Sequence, residues 1–298
     1  MRRRYRPRGE PDRTHAAPSG NTAPVTSPRT GFAYLDTVLD PPGSVLAFAH
    51  RGGAYHPEIE GLENTLAAFR HAVALGYDYL ETDVHVTRDG VLLAFHDSLL
   101  DRVTDRKGEI ATLTYAEVRE ARVGGREHVP TLAELFDAFP GARFNIDIKS
   151  EGAVPVLADF VAAREAWDRV LVGSFAQSRI DLFRELTHGR VATSATLREI
   201  GLFRFLPSAR LAGWLTRNRF AAFQVPPRRG RLTVVTPGFV RRAHAAGKHV
   251  HVWTVDESGA MHDLLDRGVD GVFTDRTDIL RTVLTERHAW RGPRRDDA

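Results

Sequence analysis

Residues 44–86 read SVLAFAHRGGAYHPEIEGLENTLAAFRHAVALGYDYLETDVHV. The segment opens with a short apolar run, Ser44 to Ala49, which ends at the polar residue His50. Residues 63–75 then place apolar side chains at helical spacing, and residues 79–86 form a run of the strand type. The segment therefore predicts a strand, a loop, a helix and a second strand in that order.

The same alternation of strand-like and helical runs continues to residue 287. A turn signal at residues 88–90 and an apolar run at residues 91–95 predict a hairpin after the second strand. Strands are predicted to start at Ser44, Tyr79, Phe144, Val170, Val191, Ala221, His249 and Gly271. Such a repeat over about 250 residues is typical of a (β/α)8 TIM barrel, an α/β fold. A doubly wound sheet is the alternative, but no G-x-G-x-x-G loop follows any of these strands.

Composition excludes several classes of protein. Hydrophobic residues make up 42% and charged residues 27% of the 298, which indicates a folded rather than a disordered chain. There is no cysteine, so disulfides and thiolate sites are excluded and any metal must bind oxygen or imidazole. Of the net charge of +3, residues 1–30 carry +5 from seven arginines, Glu10 and Asp12, which leaves −2 for the remainder. A basic nucleic-acid surface on the folded part is therefore not expected.

The terminal segments differ in composition from the rest of the chain. We predict a disordered Arg/Pro-rich tail at residues 1–40, one barrel domain at 41–288 and a polar tail at 289–298. The N-terminal tail lacks the apolar core of a secretory signal, and no apolar run is long enough for a transmembrane span. We therefore expect a cytoplasmic protein. Contact of the arginine tail with an anionic membrane stays open as an alternative to a solvated extension.

Polar residues gather where the predicted strands end, and the carboxyl ends of the strands are where a barrel of this kind carries its active site. The candidates are His50, Arg51, Glu81, Asp83, His96, Asp97, Asn145, Asp147, Lys149, Ser174, Phe175, Gln224 and Trp253. Together they predict a polar site at one rim of the barrel.

Three acids among these candidates favour a metal site. Glu81 and Asp83 are two residues apart on a strand, so both side chains point to one face, and Asp147 adds a third carboxylate. Buried carboxylates at close range repel each other unless a cation or a proton is shared. Oxygen donors suit Mg²⁺ or Ca²⁺ better than zinc. The alternative is that these acids pair with arginine and lysine.

Histidines and cations supply the other expected functions. His50 and His96 are candidates for general acid and base, since imidazole titrates near neutral pH, although a single histidine is more often structural. Arg51 and Lys149 can bracket a phosphate, and their alternative is to neutralise the acids. We interpret His251, which shares strand parity with Trp253, as a packed histidine.

The order of these motifs resembles that of the glycerophosphodiester phosphodiesterases. The resemblance extends over about residues 45–283, and its motifs are His50-Arg51-Gly52, Glu63-Asn64-Thr65, Glu81-Thr82-Asp83-Val84, Thr87-Arg88-Asp89-Gly90 with His96-Asp97, Asn145-Ile146-Asp147-Ile148-Lys149, Val252-Trp253-Thr254-Val255 and a closing segment at 268–275. It implies a TIM barrel of the PLC-like phosphodiesterase type. It also implies metal-dependent hydrolysis of a small-molecule glycerophosphodiester to glycerol 3-phosphate and an alcohol.

The resemblance also assigns roles residue by residue. His50 and His96 resemble the catalytic acid and base pair, and Arg51 the phosphate-contacting arginine. Glu81 and Asp83 resemble two ligands of a divalent cation, and Asp147 matches the third, where the family commonly has glutamate. Further matches are the pocket-lining Glu63 and Lys149, and Phe175 and Trp253 near the alcohol group. For Glu63 the alternative is a plain helix cap made with Asn64 and Thr65.

Two other functions remain open beside this one. A lysophospholipase D or sphingomyelinase D-like phosphodiesterase would use the same barrel on a lipid substrate. An inactive barrel that binds a phosphodiester is the other alternative, but it would not require two histidines for proton transfer. The oligomeric state is left open.

Overall fold

Eight parallel strands form the central sheet of the part of the chain that the computed structural model describes, which is residues 27–37, 44–206 and 208–292. They are β1 Leu46–His50, β2 Tyr79–Val86, β3 Arg143–Ile148, β4 Val170–Gly173, β5 Ala192–Thr193, β6 Ala222–Val225, β7 His249–Val252 and β8 Gly271–Thr274. Neighbours pair in the order β5-β4-β3-β2-β1-β8-β7-β6, and a parallel bridge from Ser194 to Ala222 brings β5 beside β6. The sheet thus closes into the (β/α)8 TIM barrel that the sequence predicted.

Helices follow the strands and cover the outside of the barrel. They are α1 Ala33–Asp36, α2 Leu66–Ala74, α3 Tyr115–Val118, α4 Leu132–Ala138, α5 Ala153–Ala163, α6 Gln177–Leu186, α7 Leu197–Phe205, α8 Ala209–Leu215, α9 Pro237–Ala245, α10 Ser258–Asp266 and α11 Thr277–Glu286. Threonine side chains accept a hydrogen bond from the first turn of several of them, as Thr131 and Thr196 do for Glu134 and Glu199. Between β5 and β6 the described residues form two helices, α7 and α8, where the other connections have one main helix.

Short antiparallel strands lie in the connections that follow β2 and β6. Leu92–Ala94 pairs with β2 and confirms the predicted hairpin. Arg122–Val123 pairs with Glu127–His128, and Arg228–Arg229 pairs with Leu232–Thr233. Two turns of 3-10 helix, Leu100–Arg102 and Ile110–Thr112, lie between the first hairpin and α3. The connection from β2 to β3 buries a small apolar cluster of its own, which holds the loop that begins at His96.

The hydrophobic core has two layers. The larger layer lies between the strands and the helices, and it includes Phe69, Phe144 and Phe223. The smaller layer fills the barrel, where Phe48 stacks on Phe273 with ring centroids 4.2 Å apart. Because strand side chains alternate between the two faces, each strand supplies both layers, and the polar side chains occupy the carboxyl ends.

Helix α1 closes the opposite end of the barrel. Tyr34 and Leu35 are buried against the starts of the strands, and the Tyr79 hydroxyl donates to the backbone oxygen of Tyr34 at 2.7 Å. The prediction of a disordered tail over residues 1–40 is therefore wrong for residues 27–37, because these apolar side chains complete the inner core. Residues 1–26 and 38–40 lie outside the described residues.

The predicted polar tail at 289–298 needs a similar correction. Ala289 and Trp290 pack on the core, and the Trp290 ring meets Tyr77 edge to face at 5.1 Å. Residues 293–298 lie outside the described part, so the outer boundary stays a prediction. Among the described helices none is both long enough and apolar enough to cross a membrane.

Candidate active site

The polar strand ends surround a cavity of about 670 Å³. Of the ten residues to which the family resemblance assigned a role, nine line the cavity, namely His50, Arg51, Glu81, Asp83, His96, Asp147, Lys149, Phe175 and Trp253. The tenth, Glu63, does not line the cavity but binds the side chain of Arg51 from behind, with Nη1 to Oε1 at 3.2 Å. Residues from β1 to β7 thus meet at one rim because parallel strands end on the same side.

His50, the last residue of β1, is held between two carboxylates. Its Nδ1 lies 2.8 Å from Oδ1 of Asp275, and its Nε2 lies 3.8 Å from Oε2 of Glu81. Burial lowers the pKa of His50, but the charges of Glu81 and Asp275 outweigh that effect and raise it to about 9. The two carboxylates therefore favour the protonated form of His50.

Arg51 turns the chain away from β1 and ties three acids together. Its backbone N–H donates to Oε2 of Glu81 at 2.9 Å, and its Nε lies 3.3 Å from Oδ2 of Asp83. The turn needs glycine at the next position. Gly52 has φ +86°, and a Cβ there would lie 2.7 Å from the Cβ of Ala68. The His-Arg-Gly motif thus places imidazole and guanidinium side by side.

The three acids lie on neighbouring strands, with Asp83 of β2 in register with Asp147 of β3. The Lys149 ammonium binds both, at 2.9 Å from Oδ1 of Asp83 and 2.6 Å from Oδ2 of Asp147. Burial raises the pKa of Asp83, but Lys149 and Arg51 more than compensate and lower it overall. Burial dominates at the other two, so the pKa of Asp147 is raised, and burial together with the Asp83 charge raises that of Glu81 to about 7.

The Glu63-Asn64-Thr65 motif caps a helix and also supports the acidic site, although Glu63 itself does not line the cavity. Thr65 caps α2, since its side chain accepts from the backbone N–H of Ala68. Asn64 instead reaches β2, where its Nδ2 donates to Oδ2 of Asp83 at 3.2 Å and its Oδ1 accepts from Thr82. The helix start and the acidic site are therefore built by adjacent residues.

A second histidine is held by a chain of ion pairs on the other side of the cavity. Nδ1 of His96 lies 2.5 Å from Oδ1 of Asp97, whose other oxygen binds Nε of Arg102. The guanidinium of Arg102 continues to Glu63, with Nη2 to Oε1 at 2.6 Å. His96 thus has a carboxylate on Nδ1, as His50 has.

Sequence reasoning missed two members of this network. Asp275 follows β8 directly, in the closing segment of the family resemblance, and its position after an apolar run was the signal that identified the other candidates. Arg102 ends the 3-10 turn Leu100–Arg102, which has no periodic pattern around it, and only its contacts with Asp97 and Glu63 identify it.

The other half of the cavity is apolar. Phe175 and Trp253 meet edge to face at 5.8 Å, and Phe175 is 59% exposed. The wall continues through Ala195, Leu197, Ile200, Val225 and Pro226. Inside the cavity, Nε2 of Gln224 donates a hydrogen bond to Oδ1 of Asn145 at 2.6 Å. His251 is fully buried against Phe48, which supports its interpretation as a packed histidine.

The donor set formed by Glu81, Asp83 and Asp147 fits a hard divalent cation in its chemistry. All three are carboxylates, and the raised pKa of Glu81 means that neighbouring cations do not compensate its buried charge. In the described residues no group of three His, Cys, Asp or Glu side chains is arranged to hold a metal ion as it stands. A cation bound here would therefore have to share Asp83 and Asp147 with Lys149 or displace it.

Comparison with known proteins gives a consistent result. The model of the glycerophosphoryl diester phosphodiesterase family matches residues 50–279. A probable glycerophosphodiester phosphodiesterase 2 of Mycobacterium tuberculosis is 39% identical over 259 residues, covering 84% of this chain and 94% of that protein. Lysophospholipase D GDPD1 of Rattus norvegicus is 28% identical, covering 81% and 86%. The crystal structure of a putative glycerophosphoryl diester phosphodiesterase from Silicibacter pomeroyi superposes with a TM-score of 0.71 at 25% identity, covering 86% and 98%.

Proposed function

The chain belongs to the glycerophosphoryl diester phosphodiesterase family and is an enzyme that hydrolyses glycerophosphodiesters, and we propose that it releases glycerol 3-phosphate and an alcohol. In this proposal His50 and His96 act as acid and base, assisted by Mg²⁺ or Ca²⁺. The observation that carries the proposal is the matched pair of imidazoles in one cavity, each with a carboxylate on Nδ1. When Nδ1 donates to the carboxylate, Nε2 is the atom left to exchange a proton with substrate.

The two histidines take opposite roles in this mechanism. Glu81 and Asp275 raise the pKa of His50 and so favour its protonated form, which suits the acid that protonates the departing alkoxide from Nε2. His96 accepts at Nε2 the proton of the nucleophile that attacks phosphorus, while Asp97 holds Nδ1. The nucleophile is either water or the glycerol 2-hydroxyl, and in the second case water then opens the resulting cyclic phosphate. Each transfer typically contributes about 10²–10⁴-fold to the rate.

The phosphate is bound by the cationic part of the cavity. Arg51 and Lys149 line it and bring positive charge toward the anionic oxygens of the diester. Glu81, Asp83 and Asp147 would hold the divalent cation, which when bound supplies Lewis-acid stabilisation of the developing charge. The aromatic pair of Phe175 and Trp253 borders the side on which the alcohol leaves.

The test is an assay of the full chain, stripped of metal with a chelator, on glycerophosphocholine, glycerophosphoethanolamine and glycerophosphoglycerol. We expect no turnover without metal and release of glycerol 3-phosphate when Mg²⁺ or Ca²⁺ is added singly. Full activity of the metal-stripped protein would contradict the proposed requirement for a divalent cation. Binding of the diesters without turnover in any metal would support the inactive barrel instead.

A second candidate function is hydrolysis of lysophospholipids. The apolar wall formed by Leu197, Ile200 and Val225 offers a surface for an acyl chain, which a short polar diester does not need. A lysophosphatidylcholine assay in the same buffers distinguishes the two. A kcat/KM above that for glycerophosphocholine would favour the lipid substrate.

A further inference from the structure

An arginine-rich hairpin forms the outer edge of the cavity. Its strands Arg228–Arg229 and Leu232–Thr233 follow β6 after two prolines, and Arg228, Arg229 and Gly230 line the cavity. Gln224, which lines the same cavity, is four residues from Arg228, so their Cα atoms are at most about 14 Å apart. The hairpin therefore lies beside the cavity that would hold the substrate.

The charge of this hairpin is not compensated nearby. Residues 226–235 read PPRRGRLTVV and contain three arginines and no acid. Arg228 and Arg229 are exposed, and neither forms an ion pair with any residue that the structure describes. By contrast, Lys149 and Arg102 in the same rim are each bound to two carboxylates. Two free guanidiniums facing one cavity create an anion-binding edge.

The position of this edge identifies the part of the substrate that it meets. Arg51 and Lys149 lie at the acidic end of the cavity with the histidines, whereas the apolar wall of Val225 and Pro226 leads to the hairpin. A cavity of about 670 Å³ takes a ligand considerably larger than glycerol 3-phosphate. A leaving alcohol that extends away from a phosphate held between the histidines stays in the cavity that Arg228 and Arg229 also line.

We propose that Arg228 and Arg229 bind an anionic group, a phosphate or a carboxylate, at the far end of the leaving alcohol, and so select glycerophosphodiesters that carry a second negative charge. This inference rests on the proposed hydrolysis. Exposed guanidinium–anion pairs are individually weak and screened by salt, so two of them are expected to change kcat/KM by about 5- to 10-fold at low ionic strength.

Three substrates that differ at the far end of the leaving alcohol provide the test. Glycerophosphoglycerol has a neutral leaving alcohol, its 3-phosphate carries a phosphate monoester, and glycerophosphoglycerate carries a carboxylate. We expect the wild type to prefer one or both anionic substrates over glycerophosphoglycerol by about 5- to 10-fold, and the preferred one identifies the group. Arg228→Gln combined with Arg229→Gln should reduce this ratio to about one. The single variants should show intermediate ratios.

Arg231→Gln is the matched control, since Arg231 belongs to the same hairpin and carries the same charge but does not line the cavity. It should retain the wild-type ratio within about two-fold. A wild-type ratio near one, or an equal loss in Arg231→Gln, would overturn the inference. The inference would also be overturned if the double variant lost co-sedimentation with phosphatidylglycerol vesicles while its substrate ratio stayed that of the wild type. That result would make the hairpin a membrane contact. Wild-type protein that cleaves none of the three substrates would instead refute the proposed function itself.

Discussion

Nδ1 of His50 lies 2.8 Å from Oδ1 of Asp275, a residue 225 positions later in the chain. His50 ends β1 and Asp275 follows β8, and these two strands are paired in parallel. The contact therefore exists only once the barrel has closed. Its effect on the imidazole is to hold one tautomer and to direct Nε2 into the cavity.

Asp275→Asn tests that relationship. The amide keeps the shape of the carboxylate but loses its charge, so the pKa of His50 falls and its tautomer is no longer held. We expect kcat to drop by about 10²–10⁴-fold with a much smaller change in KM, as for other carboxylates that orient a catalytic histidine. Steady-state kinetics check this. Asp266→Asn, at an exposed acid on α10, is the control and should retain full activity.

His50→Ala and His96→Ala should each lower kcat by about 10²–10⁴-fold, because each removes one proton-transfer group. The double variant should be hardly slower than the slower single variant, since the two groups act in one step. His262→Ala, at a partly exposed histidine on α10, is the matched control. Near-normal rates in both single variants, with intact circular dichroism spectra, would falsify the assignment.

Divalent cation should stabilise the folded protein. Ligand at about 100 times its Kd contributes about 2.7 kcal/mol, which for a domain of this size raises the Tm by roughly 5–10 °C. Asp147→Asn removes one of the three carboxylates and should abolish most of that rise. Thermal unfolding with and without Mg²⁺ or Ca²⁺ measures it. Asp137→Asn, at an exposed acid on α4, should respond to the cation as the wild type does.

Leu35→Ala measures how much α1 contributes to stability. Leu35 is fully buried in the inner core, so truncation leaves a cavity and should reduce the free energy of unfolding by about 2–4 kcal/mol. Urea denaturation gives the value. Leu186→Ala, at a residue that is 43% exposed, should cost much less. Equal costs would mean that α1 does not close the barrel in solution.

Lys248 makes stability depend on pH in the alkaline range. Its ammonium is buried and donates to the backbone oxygens of Asn218 and Phe220, and burial lowers its pKa to about 8. In the unfolded chain a lysine titrates near 10.4, so between about pH 8 and pH 10 the unfolded state binds more protons and stability rises with pH.

The comparison with Lys248→Met isolates this contribution, because buried tyrosines and other alkaline groups are common to both proteins. The free energy of unfolding of the wild type minus that of the variant should increase by about 1–3 kcal/mol from pH 7.5 to pH 10. Urea denaturation at several pH values checks the slope. A constant difference between the two proteins would show that Lys248 stays charged throughout.

Most of the fold follows from the sequence alone. The starts predicted for β2, β4, β7 and β8 coincide with the observed ones, because period-two and period-3.6 patterns depend on residues close in the chain. The failures lie at the ends of the chain. Tyr34 and Leu35 belong to an apolar run of only four residues, and Trp290 stands among charged residues. Nothing local indicates that a distant barrel provides their apolar contacts.

The site divides in the same way. Strand-end placement and the family resemblance identified the acids, the histidines and the aromatic pair that line the cavity, since parallel strands must end on one side. They did not identify Arg228 and Arg229, which lie in the loop beyond β6. The ion-pair partners of these side chains follow only from the tertiary structure. Asp275 binds His50, Arg102 bridges Asp97 and Glu63, and Lys149 binds Asp83 and Asp147.

Which residues can form strands, helices and a polar rim is encoded locally, in hydrophobic periodicity and side-chain chemistry. Which charges neutralise each other, and hence which pKa values shift, depends on distances of a few ångströms between residues up to 225 positions apart. Such distances arise only when the chain is folded, because burial and proximity are properties of the packed barrel and not of any one segment.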